Sequence, residues 1–273
     1  MSKYYYFTAV SGSEFINKFT KYSVGSLLKA GVDASDIHVA VNTKEDKRLV
    51  NEVLPEIDNI YMIGEDLSKV VWKYSKGKRK YSLFKSASLY KAFPNPIEGK
   101  YMIYFDGDVL WYKDPTSFFD TKCDKTWFHH GKSLKERCAA GREGRTVDSI
   151  DVTSYEDLSQ WVSAPQAHLM VKFGAKKVPE YEVVAGLYLL HPRDHAAFLK
   201  MTYEGCLENS TKFKKHEGGG DQKPTNASLS ILDIDWHGGS RFFCPEHKEY
   251  FDHYFGKEDM KKKFWDRARN LGL

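Results

Sequence analysis

The sequence predicts a single α/β domain whose central sheet is mixed but mostly parallel, with helices on its faces. Three observations predict it. Apolar, β-rich runs alternate with helical patterns between residues 4 and 105, no Gly/Ser/Pro linker divides the chain, and its 273 residues suffice for a substantial core. At 41% hydrophobic and 29% charged, the composition is that of a globular protein rather than a disordered one.

"YYYFTAVS" (4–11) is the first strand, closed by a Ser-Gly-Ser turn and cap signal. From Glu14 onward Phe15, Phe19, Leu27 and Leu28 fall at helical spacing, and the pattern stops near Gly31. "DIHVAVNT" (36–43) is a second strand, "KEDKRLVNEVL" a polar-faced helix, and "NIYMIG" (59–64) a third strand. A basic loop, "KYSKGKRK" (73–80), precedes a helix over "YSLFKSASLYKAF" that Pro94 and Pro96 end. "YMIYF" (101–105) is the fourth strand. Residues 123–160 read as polar and irregular, the kind of long loop that serves as a lid or acceptor-binding segment. "QAHLMVKF" (166–173) and "EVVAGLYLLH" (182–191) are further apolar runs, followed by helices in "DHAAFLKMTYEGCL" and "GGGDQKPTNASLSIL". The pattern sets a domain over 1–245 and a basic, aromatic helical tail over 246–273.

The totals bound function loosely. A net charge of +4 permits an acidic ligand such as a nucleoside diphosphate without demanding nucleic acid. The four cysteines form no C-x-x-C pair, and Cys123, His129, His130 and Cys138 do not have usual zinc-ligand spacing. The N-terminus lacks a signal-peptide pattern and no apolar run approaches the ~18 residues of a membrane span, so the expected location is the cytoplasm.

The chemistry-bearing stretch is Asp106-Gly107-Asp108, at the end of the fourth strand. Two carboxylates one residue apart either cap a turn or hold a hard cation. In open α/β sheets ligands bind beyond the carboxyl ends of strands, which favours the cation. Downstream lie Ala185-Gly186, then Gly219-Gly220-Asp221-Gln222 with Asn226, then His237-Gly238-Gly239.

In that order the motifs resemble the GT-A glycosyltransferases, most closely the glycogenin-like family 8 group, over residues 4–240. The resemblance implies transfer of a hexose or pentose from a nucleotide sugar, UDP-linked in expectation, to a hydroxyl with retention of configuration. It implies Mn²⁺ or Mg²⁺ at Asp106, Asp108 and His237, bridging the diphosphate as its charge develops. Asp221 and Gln222 match the residues that line the sugar's reactive face. Lys85 matches a basic residue on the helix before the D-x-D strand, with Arg79 or Lys80 as substitutes. Thr8, Ala9 and Val10 would hold the nucleoside, and Asp106, Gly107, Ala185, Gly186, Gly220, Asp221 and Gly239 would surround the donor.

Two departures stand out. The family's C-terminal H-x-x-G-x-x-K-P-W motif is degraded in "HGGSRFFCPEH", leaving Arg241 to replace its lysine, and Val184 occupies a position where the family has Asn. Competing readings are a nucleotidyltransferase, disfavoured because "AVSGSEF" lacks a basic Gly-rich loop, and a GT-A domain that only binds. The acceptor is open: a glycan, a lipid-linked glycan reached by peripheral membrane contact through "KKKFWDRARNLGL", a protein, or a modified nucleobase with nucleic acid as the less favoured partner.

Overall fold

The computed structural model describes residues 2–64, 78–213, 220–240, 248–254 and 258–273. Seven strands form one sheet: β1 (Tyr4–Val10), β2 (Ile37–Val41), β3 (Ile60–Met62), β4 (Tyr101–Phe105), β6 (Thr126–Ser133), β7 (Tyr181–Leu190) and β8 (Trp236–Ser240). Their spatial order is β3-β2-β1-β4-β7-β6-β8. All neighbours run parallel except β7, which is antiparallel to both β4 and β6. The remaining strands, β5 (Val109–Trp111) and β9 (Phe251–His253), pair antiparallel as a second, small sheet.

β1 shows why an unbroken apolar run makes a central strand. All seven of its residues are buried, because both faces of the sheet are covered. Alternation sends Tyr4, Tyr6 and Val10 into one core and Tyr5, Phe7 and Ala9 into the other. The first core is closed by α1 (Lys21–Lys29) and α2 (Lys44–Val53), the second by α3 (Lys78–Ala92), α5 (His195–Lys212) and α6 (Gln222–Ile231). α2 opens on a full capping box, Thr43 with Asp46. Asp46 is itself buried and also accepts from Gly12 N at 2.9 Å, so the helix start holds the turn that leaves β1.

The helix expected from Glu14 is interrupted. Residues Ser13–Phe15 make one α-helical turn, Ile16–Thr20 a π-helical turn, and only then does α1 begin. This aims Phe15 and Thr20 at the D-G-D turn: a Cβ on Gly107 would lie 2.6 Å from Phe15 Cε1 and 3.3 Å from Thr20 Oγ1. A π-bulge beside a ligand-bearing strand end is a common place for one.

The segment 123–160 is not a structureless loop. It contains β6 and four short helical turns, which pack Leu134, Leu158 and Trp161 with α4 (Ala164–Phe173) and with Ala227 and Ile231 of α6 in a third core. β6 escaped notice because His129, His130, Gly131 and Lys132 dilute its apolar content, yet Trp127, Phe128 and His129 are buried on alternating faces. The described part of the C-terminal tail packs on the domain. β9 returns to β5, and Phe264 and Ala268 of α7 (Glu258–Asn270) close a further core with Leu110. Among the described residues no helix is long and apolar enough to cross a membrane.

Candidate active site

β4 ends where its pairing with β7 ends. Asp106 N donates to Gly186 O at 2.7 Å, and Val109 N then closes a turn onto Asp106 O at 3.1 Å. That turn starts β5, whose register with β9 sets Val109 opposite His253, and Tyr254 N donates to Asp108 O at 2.9 Å. His253 is thereby delivered beside Asp108, with Nε2 3.2 Å from Asp108 Oδ1. One ligand atom each from Asp106, Asp108 and His253 lie within 4.8 Å of one another, the one such group among the described residues.

The expectation for His237 is therefore corrected. His237 lies on β8 opposite Trp127, and its Nε2 donates to Lys122 O at 2.8 Å. Among the described residues the imidazole that joins the aspartates is that of His253. Sequence reading had a signal for it: "HYFG" at 253–256 keeps the H-x-x-G spacing, whereas Ser240 stands three residues after His237.

The triad suits a divalent cation. Two carboxylates and an imidazole are the donor set that Mn²⁺ accepts. Asp108 Oδ1 is buried without a hydrogen-bond partner although His253 Nε2 faces it, an orphaned oxygen of the kind a cation satisfies. Gly186 leaves the necessary space. A Cβ there would sit 2.0 Å from His253 Cε1 and 2.9 Å from Asp106 Oδ2, so the Ala-Gly pair is where two ligands approach the backbone.

A buried lysine joins this triad to the helix that carries Asp221. Lys85, 4% exposed, places its Nζ 2.9 Å from Asp106 Oδ1, 2.7 Å from Asp221 Oδ2 and 2.6 Å from Ala185 O. Tyr104 supports the same oxygen of Asp106 by donating at 2.6 Å, and its ring lies 4.3 Å beneath the ammonium. Burial works to lower the Lys85 pKa, but the charges of Asp106 and Asp221 outweigh it and hold the ammonium above the ordinary lysine range. Lys85 is thus a fixed cation at neutral pH, not a proton acceptor. Burial, then the negative charges of Asp221 and Asp106, keeps the Tyr188 phenol protonated.

Asp221 stands at the N-cap of α6 but does not cap it with its side chain, which turns to Lys85 instead. Gly220, with φ +65°, makes the bend before it. Gln222 follows, half-buried. The buried Asn226 amide accepts from Val183 N at 2.8 Å and donates to Val183 O at 3.1 Å and Gln222 O at 2.8 Å, riveting the helix start to β7. The matched Asn226 is a brace. Ala185, buried, contributes its carbonyl to Lys85.

The remaining expected residues fall elsewhere. Thr8, Ala9 and Val10 are fully buried in β1, with the Ala9 and Val10 side chains in opposite cores. Gly239 is on β8, beyond β7 and β6 from the aspartates. Gly219 and Arg241, with most of the basic loop, lie outside the described residues.

No protein-family model and no curated protein matches the chain. Solved structures do. The galactosyltransferase LgtC, in complex with donor and acceptor sugar analogs, superposes with a TM-score of 0.55 at 16% identity, covering 98% of this chain and 96% of that one. An active-site mutant of LgtC gives 0.52 over the same shares and at the same identity. The chain has the GT-A fold. Within it, the strand-end triad and the Lys85–Asp221 pair occupy the carboxyl end of the central strand β4, where α/β sheets of this kind take their ligands.

Proposed function

We propose that the chain is a metal-dependent, retaining glycosyltransferase of the glycogenin-like family 8 type, using a UDP-sugar and acting on a hydroxyl of a glycan, lipid-linked glycan, protein or modified base. The observation that carries the reading is the convergence of Asp106, Asp108 and His253 on one point, with Asp221 tied to it through Lys85.

Asp106, Asp108 and His253 would hold Mn²⁺ or Mg²⁺, which when bound neutralises the diphosphate that leaves. Lys85 fixes Asp106 toward that site and holds Asp221 beside the sugar. Asp221 and Gln222, held by the Asn226 brace, orient the donor sugar and favour positive character at its anomeric carbon. The bond from that carbon to the phosphate oxygen breaks and one to the acceptor oxygen forms on the same face. The acceptor's proton passes to the departing phosphate.

The test is a screen of nucleotide sugars for Mn²⁺-dependent thermal stabilisation and slow hydrolysis, repeated with Asp108→Ala and His253→Ala. Both variants should fold, and both should lose more than about 100-fold of the cation-dependent turnover, since even groups that only support a ligand cost 10–100-fold. Full activity in either variant overturns the metal assignment. Release of pyrophosphate from a sugar phosphate and a nucleoside triphosphate would instead identify a nucleotidyltransferase.

A further inference from the structure

The sheet ends in a second cleft, of about 590 Å³, where β6 meets the edge strand β8. It is three strands from β4, about 14 Å at ~4.8 Å per strand, and shares no residue with the triad. We infer that this cleft binds a neutral oligosaccharide and serves as a remote subsite for a glycan acceptor.

The lining has the two elements sugar recognition needs. One is aromatic ring surface. The half-buried His130 ring lies between Tyr181, at 4.4 Å between centroids, and Trp236, at 6.4 Å, forming a row of rings along the cleft. The axial C–H face of a pyranose packs on such rings. The other is a mixed set of donors and acceptors for hydroxyls. His130 Nδ1 donates to Gly131 O at 2.8 Å, and because a carbonyl only accepts, Nε2 is left as an acceptor. Lys135 and Asp148, both exposed, line the cleft with opposite charges. With Lys135, Lys177, Asp148, Glu180 and Asp235 in its wall, the cleft has no single sign to select an ion. Its volume lies within the range of small-molecule sites.

Gly238 lets β8 lie close against β6 at the floor of the cleft. A Cβ there would meet Phe128 O at 2.3 Å, His130 Cδ2 at 2.9 Å and Trp236 Cζ3 at 3.0 Å, between two of the rings. A glycine within an edge strand marks close approach of another group. The Gly238-Gly239 pair, which resembled part of a donor site in the sequence, belongs to this edge.

The acceptor role rests on the transfer reading above, whereas the binding does not. The experiment separates them by omitting donor and divalent cation. Maltotetraose and a β1,4-galactotetraose are titrated into the intact protein while the Trp236 indole N–H and His130 ring signals are followed by NMR. Saturable shifts at Trp236 with at least one sugar are expected, unchanged in Asp108→Ala. Trp236→Ala should weaken binding about tenfold. Asp148→Ala, an exposed change that leaves the fold alone, should weaken it about threefold, the size of one modest hydrogen bond. No shift at Trp236 with either sugar at millimolar concentration, or affinity untouched by both variants, overturns the inference. Binding here with no transferase activity would overturn the transfer reading alone.

Discussion

Lys85 and Glu182 are both nearly sealed from solvent, at 4% and 2% exposure, and each holds two ions of opposite sign. Lys85 sits between Asp106 and Asp221. Glu182, on β7, sits between Arg137 at 2.7 Å and Lys223 at 3.2 Å. Both hubs grip the first turn of α6, one through Asp221 and the other through Lys223, from the two ends of the same stretch of β7. Their charge differs in sense. One lysine and two aspartates leave −1, and Asp108 beside them makes −2, whereas one glutamate with an arginine and a lysine leaves +1. The partners of Lys85 stand on the rim of the candidate active site, while Arg137 opens to solvent at 45% exposure. A buried ion pair alone is weak evidence of function. What separates these two is where the surplus charge points, and only the Lys85 hub leaves negative charge at the end of β4.

The sharpest way to break the contrast is Lys85→Met. It leaves two carboxylates facing each other with no cation, and the expected outcome is about 3–5 kcal/mol of lost stability in denaturant unfolding together with a loss of transfer exceeding about 100-fold. Because Asp106 and Asp221 hold the ammonium above the lysine range, the hub's contribution is complete below the unfolded value of ~10.4 and fades only as pH rises through the higher folded value. Stability profiles of the native protein between pH 7 and 9 should therefore not register its titration.

Glu182→Gln should cost less, about 1–3 kcal/mol, since Arg137 can turn to water, and kcat should stay within a few-fold. A collapse of kcat there equal to that of Lys85→Met would erase the distinction between the hubs. Gly186→Ala tests the crowding beside the Lys85 hub: overpacking of about 1–3 kcal/mol and a Mn²⁺ affinity at least about tenfold weaker, read by calorimetry. His237→Ala is the smallest change, about 1 kcal/mol for one hydrogen bond, and activity should keep its full cation dependence.

How much of this was legible follows from the range of each signal. The strands β1, β2 and β4 are continuous apolar runs because both sheet faces are covered there, so the run alone identifies them. Asp106-Gly107-Asp108 is local to one strand end, and so is visible as a motif. Gly220, Asp221 and Gln222 are local to one helix start and equally visible, although the side chain of Asp221 forsakes the cap for Lys85, a choice that depends on a residue 136 positions away. His253 was missed because β9 has only three residues and its meaning lies in its pairing with β5, which no local pattern announces. His237 drew attention by its neighbours Gly238 and Gly239, and the lack of a side chain at Gly238 answers to Phe128 and His130 at the sheet edge. The side chains of Ala9 and Val10, small in the sequence, each fill one of the two cores.

The position of β9 has a consequence for how the molecule is made. Every strand of the large sheet has been synthesised by residue 240, so a nascent chain of that length carries the whole sheet and both aspartates. The histidine that stands beside them comes later, at residue 253, and needs the β5–β9 ribbon to reach them. Domains form from the N-terminus as the chain emerges at ~5–20 residues per second. The candidate cation site is therefore completed only by a segment made after every strand of the large sheet, and a chain ending at residue 240 would carry both aspartates without the imidazole that stands beside them.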